Sequence, residues 1–350
     1  MNQELKLLAL LVHRGLVDAD AAKRALASGS PGQSLVEQGA CTDAQWQGWL
    51  ATEGGVRPQL TRYELGDMLG EGATARVFRA VDKTDRKRVA LKVLRSELIA
   101  DQGKVDSFVK EAKLLLSLSH PHVVKGVRVA KEGATIYFAM EELPGVCLQD
   151  ALRESGRLDE GSALAITADI ASALSALHGR GLVHRDVKPG NVIWSQQRGA
   201  VLIDLGFAVE GVAAASKETT AGTVHYIAPE QARGNEGLDV RADIYALGAT
   251  LYHLVTGELP FEGATNDDVL RKQVLESLSG ERIRALSLSP QTHYFIEKMM
   301  AKEREIRFQD PAQLESDVRA FLASQEAQRQ LELDAEADAK RTGFRRRRRP

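Results

Sequence analysis

Two cysteines in 350 residues, Cys41 and Cys147, exclude a disulfide framework, and their separation fits no zinc-ligand spacing. A surplus of charge of either sign is also missing. The formal net charge is −2 at pH 7, so no global field draws the chain to nucleic acid or an anionic membrane, and an electrostatic partner has to be met by a local cluster. No apolar run approaches the roughly 20 residues a bilayer-spanning helix needs. The opening segment, MNQELKLLALLVHRG, has a short apolar core from Leu7 to Val12, with Glu4 ahead of it and no small-residue cleavage site, so no secretory leader is expected. These absences predict a cytoplasmic protein kept reduced. What is present, 43% apolar residues, suffices for one large domain or two ordinary ones.

One internal repeat stands near the start. LVHRGLVDADAAKRAL, from Leu11, overlies LVEQGACTDAQWQGWL, from Leu35. In each copy a helix should end at a glycine, Gly15 or Gly39, and Asp18 or Thr42 should cap the next. The pattern predicts a four-helix unit over residues 1–52, with Trp46 and Trp49 in its core, and a linker over 53–60 that holds Gly54, Gly55 and Pro58. From Tyr63 the pattern changes to alternation, in YELGDML, ARVFRAVD and RVALKVL, which predicts three antiparallel strands. A helix follows with Phe108, Ala112, Leu115 and Leu118 on one face, then the strand TIYFAMEEL, then mostly helix. A sheet-rich part before a helix-rich part predicts two lobes with a cleft between them.

The chemistry-bearing residues fall in short clusters. LGEGATARV offers Gly70 and Gly72 between two strands, where backbone amides can approach an anion; it lacks the Lys-Ser/Thr of a P-loop and leads into a strand, which excludes the dinucleotide fingerprint. Lys92 lies on the polar side of VALKVL, opposite Val89, Leu91 and Val93, and Glu111 borders the buried stripe of the next helix. HGRGLVHRDVKPGNVIW is the densest polar cluster: Asp186 can accept a hydroxyl proton, Lys188 can neutralise a transferring group, and Asn191 can offer an amide oxygen to a cation. Asp204, in VLIDLGFA, reads by itself as an acidic turn after a strand.

Taken together, Tyr63 to Ala323 resembles the eukaryotic-type Ser/Thr protein kinases found in bacteria. The resemblance implies an α+β, bilobal protein-kinase fold over residues 61–323, with a β-rich N-lobe and an α-helical C-lobe, preceded by the small all-α repeat domain. It implies ATP with Mg²⁺ or Mn²⁺ as cofactors, and protein Ser/Thr hydroxyls as acceptors. The loop from Leu69 through Gly70 and Gly72 to Val77 would cover the phosphates, Lys92 would hold them, and Glu111 would pair with Lys92. Asp186 would be the catalytic base, Lys188 the stabiliser of the γ-phosphoryl, and Asn191 and Asp204 the metal ligands. AMEELPG is similar to the hinge, with Met140 beside adenine, the backbone of Glu141 and Leu143 on its edge, and Ala90, Val77 and Ile193 around the ring.

GTVHYIAPE is similar to the segment that receives the substrate, with Glu230 expected to pair with Arg307 and Asp243 to anchor the catalytic loop. Lys188 and Thr223 argue for Ser/Thr acceptors over Tyr. Ser216, Thr219 and Thr220 lie between Asp204 and Glu230, and autophosphorylation is expected at Thr219 or Thr220, with Arg185 as the phosphate's partner. Two residues depart from the family's commonest choices, Ala75 for a loop glycine and Leu205 for phenylalanine, and neither removes a charge. The alternative reading is a kinase-like nucleotide-binding scaffold.

The flanks resemble less. The repeat is weakly similar to the paired-helix domain at the front of secretion and pilus ATPases, some of which bind a cyclic dinucleotide; of that repeat's opening Arg-Leu-Gly only Gly32 is present, so a docking module is the expectation. The tail, residues 324–350, carries Glu326, Glu332, Asp334, Glu336 and Asp338, then Arg341 and Arg345 to Arg349. Its first part should extend the last helix and its end should be disordered. The arginines could touch nucleic acid or anionic lipid, or fold back on the acidic stretch.

Overall fold

The computed structural model describes the chain apart from residues 1–2, 14, 44, 47–48, 50–56, 134, 206–208, 211–222, 235–236, 279–287 and 347–350. The chain divides into two compact units, residues 1–100 with 130–139, and residues 101–129 with 140–350.

The first unit begins with α1 (Gln3–His13), α2 (Ala19–Ala27) and α3 (Pro31–Glu37). Both expected glycines adopt the left-handed conformation that stops a helix, Gly15 at φ 65° and Gly39 at φ 69°. Asp18 then caps α2, its carboxylate accepting the N–H groups of Asp20 and Ala21. At the matching place in the second copy, Thr42 and Gln45 bond reciprocally, hydroxyl to N–H and N–H to amide oxygen, as a capping box. Leu7, Leu8, Leu11, Ala25, Leu35 and Trp46 are buried together, with Trp49 packed at the margin. A Cβ on Gly32 would fall 1.9 Å from the Trp46 indole nitrogen, so the ring requires glycine beneath it.

The rest of this unit is most of a five-stranded sheet in the order β1-β2-β3-β5-β4, in which β1, β2 and β3 pair antiparallel. Its strands are β1 (Tyr63–Glu71), β2 (Ala75–Asp82), β3 (Arg88–Leu94), β4 (Gly126–Glu132) and β5 (Thr135–Glu141). Tyr63, Phe78, Val89, Leu91, Val93 and Tyr137 form its apolar core. Full burial of each such side chain contributes about 1.5–3 kcal/mol.

The second unit is largely helical: α4 (Gln102–Ser117), α5 (Leu148–Ser155), α6 (Glu160–His178), α7 (Pro229–Ala232), α8 (Val240–Thr256), α9 (Asn266–Leu275), α10 (Pro290–Met299) and α11 (Pro311–Arg346). Short strands β6 (Val146–Cys147), β8 (Val192–Ser195) and β9 (Gly199–Leu202) form one small sheet, and β7 (Leu182–Val183) pairs with β10 (Val209–Glu210). Nearly every residue of α8 is buried, as its all-round apolar sequence requires. No helix among the described residues is long and apolar enough to cross a membrane.

Candidate active site

In the sheet, strand register decides which side chains share a face. Gly70 lies opposite Val77, and Val77 opposite Lys92, so the three form one row across β1, β2 and β3. Ala90 points the same way, two residues back along β3, while Val89, Leu91 and Val93 fill the apolar core on the other face. Lys92 is 9% exposed, and its ammonium stands 5.5 Å from the centroid of the Phe138 ring on β5.

Neither Gly70 nor Gly72 has a positive φ. A Cβ on Gly70 would meet nothing within 4 Å among the described residues, and one on Gly72 only the Ala75 carbonyl at an ordinary 3.6 Å. Packing and backbone conformation therefore do not demand glycine at either place; its use there leaves the main chain open to a ligand. Leu69, beside them, is 45% exposed. The loop tip is held from the side: Glu71 accepts from Arg76 at 2.8 Å and Arg95 at 2.6 Å, and Arg95 also donates to the Gly72 carbonyl at 3.0 Å.

In the helical unit, the loop after β7 hangs on one carboxylate. Asp243, on α8 and wholly buried, accepts the N–H groups of His184 and Arg185, both at 2.7 Å. Burial lifts its carboxyl above the ordinary value, against the opposing pull of those N–H groups and the nearby positive charges. Arg185 needs this hold because it sits at φ 69°, a conformation that costs a non-glycine residue about 1–3 kcal/mol. The amide of Gln231 adds a second hold, donating to the Arg185 carbonyl at 3.2 Å.

The strained turn delivers Asp186, 6% exposed. Its Oδ2 receives the Lys188 ammonium at 2.9 Å and the Asn191 amide at 2.9 Å, and the same amide nitrogen donates to its carbonyl at 2.8 Å. Both amide hydrogens of Asn191 are thereby engaged, which turns its oxygen away from Asp186 as an acceptor. His184 ties in the acidic turn: its Nδ1 accepts the Asp186 N–H at 3.2 Å, so the proton on Nε2 donates to the Asp204 carbonyl at 2.6 Å. Leu205, where phenylalanine is commoner in the resembled family, is buried, 1% exposed.

The donors suit a hard divalent cation. Among the described residues no three His, Cys, Asp or Glu side chains converge; an amide oxygen such as that of Asn191 and a carboxylate such as that of Asp204 are the kind of oxygen donors such a cation could take.

Met140 is buried at the end of β5, and Glu141 is clamped. Its carboxylate takes both Arg198 terminal nitrogens, at 2.6 and 2.8 Å, and the Lys125 N–H at 2.8 Å. Burial alone would raise the Glu141 carboxyl; the Arg198 and Lys125 contacts outweigh it and hold it below the usual range. Leu143 follows on the loop, and Ile193 lies on β8 opposite Cys147. Glu111 is buried in α4. Glu230 and Arg307 meet as expected, in a bidentate buried pair at 2.7 and 2.8 Å. Thr223 opens the 3-10 turn Thr223–His225, while Thr219 and Thr220 lie outside the described residues.

The sheet unit with its lysine row and the helical unit with its carboxylate-held loop put the chain among α+β proteins of kinase-like layout. The protein kinase domain family matches residues 63–317. The serine/threonine-protein kinase PknB of Mycolicibacterium smegmatis is 35% identical over 265 residues, covering 73% of this chain and 42% of that protein. PknB of Mycobacterium leprae is 36% identical over 264 residues, with the same 73% and 42% coverage. A probable serine/threonine-protein kinase, CPE1738, of Clostridium perfringens is 32% identical over 259 residues, 73% of this chain and 38% of its own. The chain belongs to the protein kinase domain family. It spans about two fifths of the length of the curated relatives it matches, 42% for the two mycobacterial proteins.

Sequence reasoning missed three holds: Arg95 on the glycine loop, Arg198 on Glu141, and Gln231 on the Arg185 carbonyl. Each is an ordinary polar residue far along the chain from what it holds. No local pattern marks such a pair.

Proposed function

We propose that the chain is a Ser/Thr protein kinase that transfers the γ-phosphoryl of ATP to protein hydroxyls, a reading carried by the Asp186 carboxylate with Lys188 and Asn191 fixed on its Oδ2. Asp186 takes the proton of the acceptor hydroxyl while that oxygen bonds to the γ-phosphorus and the bond to the β–γ bridging oxygen breaks, leaving ADP. Lys188 lies against the same oxygen and offsets charge on the group in transfer. Asn191 and Asp204 would hold a divalent cation, Mg²⁺ or Mn²⁺, which when bound neutralises phosphate charge. Gly70, Gly72 and Leu69 form the flap over the phosphates, Lys92 binds phosphate oxygens with Glu111 as its partner, and Val77, Ala90, Met140, Glu141, Leu143 and Ile193 take the adenine.

Lys188 and Thr223 support Ser/Thr acceptors, and the relatives' names agree. Arg185, beside the base, is the partner for a phosphate on Thr219 or Thr220. The kinase domain runs over residues 61–323. Residues 1–52 form a small all-α repeat domain, a reading supported by the apolar cluster that packs α1, α2 and α3 together, and its role is to dock a partner. The arginine tail is a contact for nucleic acid or anionic lipid. Two free cysteines, Cys41 and Cys147, fit a cytoplasmic setting.

Incubation of the purified chain with Mg·ATP and a generic basic acceptor protein, read by intact mass beside an Asp186→Ala control, tests this reading. Added phosphate on wild type alone is expected. No transfer by wild type would leave the nucleotide-binding scaffold.

A further inference from the structure

Behind the segment proposed to receive the acceptor lies a hydrogen-bonded chain that no part of the reaction uses. Gln273, on α9, is 0% exposed, and its side-chain nitrogen donates to the carbonyls of His225 at 2.7 Å and Val224 at 3.3 Å. Its side-chain oxygen accepts the Tyr245 hydroxyl, from α8, at 2.6 Å. Lys302 closes the chain: its ammonium donates to the Tyr245 oxygen at 3.1 Å and to the Gln273 main-chain carbonyl at 2.7 Å, and stands 4.3 Å from the centroid of the Phe261 ring.

The sense of this chain is set by its ends. An ammonium only donates, so the Tyr245 oxygen accepts from Lys302 and its own hydrogen goes to Gln273. That orients the amide with its nitrogen toward Val224 and His225, two groups that can only accept. The contact has an apolar seat beside it, where Val224, Ile227 and Val269 are buried together and Leu270 packs against them. The next residues are tied independently: the His225 Nδ1 to the Phe261 carbonyl at 3.0 Å, and the Tyr226 hydroxyl to the His253 Nδ1 at 2.7 Å.

We propose that Gln273, oriented by Lys302 through Tyr245, is the positioning residue that sets the Val224–His225 backbone for the acceptor protein. The inference rests on the kinase reading. Outside its own helix, the hydrogen bonds of Gln273 go to Tyr245, Val224, His225 and Lys302, and none goes to Asp186 or to a residue proposed to bind the nucleotide, so its effect falls on acceptor binding.

The test compares wild type with Gln273→Met, Gln273→Glu and Tyr245→Phe, each first checked by thermal melting for a folded state. Gln273→Met should raise the acceptor KM about tenfold, the worth of one or two buried hydrogen bonds, with the ATP KM within about twofold of wild type. Gln273→Glu keeps the acceptor for Tyr245 and loses both donors, so it should follow Gln273→Met. Tyr245→Phe keeps the donors and loses their orientation, so its rise should be smaller. An unchanged acceptor KM, or equal rises in both KM values, overturns the proposal. Hydrogen exchange over residues 224–227 gives a readout without turnover, and should quicken in Gln273→Met; unchanged exchange overturns the proposal as well. A wild type that transfers nothing strikes the kinase reading, and the exchange experiment still decides this one.

Discussion

The Glu230–Arg307 pair allows a stability prediction worked from its contacts. The Arg307 side chain is 0% exposed and that of Glu230 8%, and all five guanidinium N–H groups are engaged. Two go to the carboxylate at 2.7 and 2.8 Å, and the others to the carbonyls of Ala301 at 2.8 Å, Arg241 at 3.0 Å and Lys302 at 3.0 Å. Glu230→Gln keeps the shape, removes the charge and turns an amide donor against a guanidinium donor. Breaking a buried pair from one side costs about 3–5 kcal/mol. At about 2–4 °C per kcal/mol for a domain of this size, the melting temperature should fall by roughly 10 °C.

Arg307→Met should cost more than Glu230→Leu, because it also strands three carbonyls that Glu230 does not touch. The double variant, Glu230→Leu with Arg307→Met, leaves no buried charge, so it should fall short of the summed single effects by about 2 kcal/mol. Calorimetry of the four proteins reads all of this. A shift under about 2 °C for Glu230→Gln, or strict additivity in the double variant, would show that water reaches the pair and that its burial does not govern its worth.

Asp243→Asn offers one acceptor to the two N–H groups of His184 and Arg185, so the Arg185 turn should relax; kcat should fall at least about 30-fold, the worth of roughly 2 kcal/mol, with little change in ATP KM, and a near-normal kcat would contradict the anchoring role. Burial holds the His253 imidazole down at about 4, with the His225 charge adding to it. The unfolded chain takes that proton near pH 6.5 and the folded one refuses it until about 4, so stability is full above that window and falls by about 3 kcal/mol as pH drops through it. Urea titrations at pH 7 and pH 4.5 should show a smaller difference for His253→Gln than for wild type; equal differences would assign the acid sensitivity elsewhere. The Thr219→Ala, Thr220→Ala double variant should lose its intact-mass phosphate on that loop and at least about tenfold of its transfer rate, as a lost charge-assisted contact would predict; full activity would remove the activation reading.

Much of the site was legible because its parts are short and local. Asp186, Lys188 and Asn191 lie within one turn of loop, where spacing alone brings their side chains together. Period-two alternation assigned Lys92 and Ala90 to the face opposite Val89, Leu91 and Val93, and the register then placed Gly70 and Val77 in the same row. Gly15, Gly39, Asp18 and Thr42 announced helix stops and starts because each acts on its own neighbours' main chain. The Glu230–Arg307 pair, far apart along the chain, was legible only through family resemblance.

What tertiary structure alone decided is which ordinary polar residues become buried holds. Arg198 on Glu141, Arg95 on Glu71 and Gln273 between Tyr245 and Val224 come from unremarkable surface-like stretches, and nothing in their neighbours distinguishes them from solvated side chains. The reason is physical: a hydrogen bond gains its worth from burial and from the orientation of its partner, and both are properties of elements packed from distant parts of the chain. Sequence by itself determined the chemistry and its local geometry. Packing determined what holds that chemistry still.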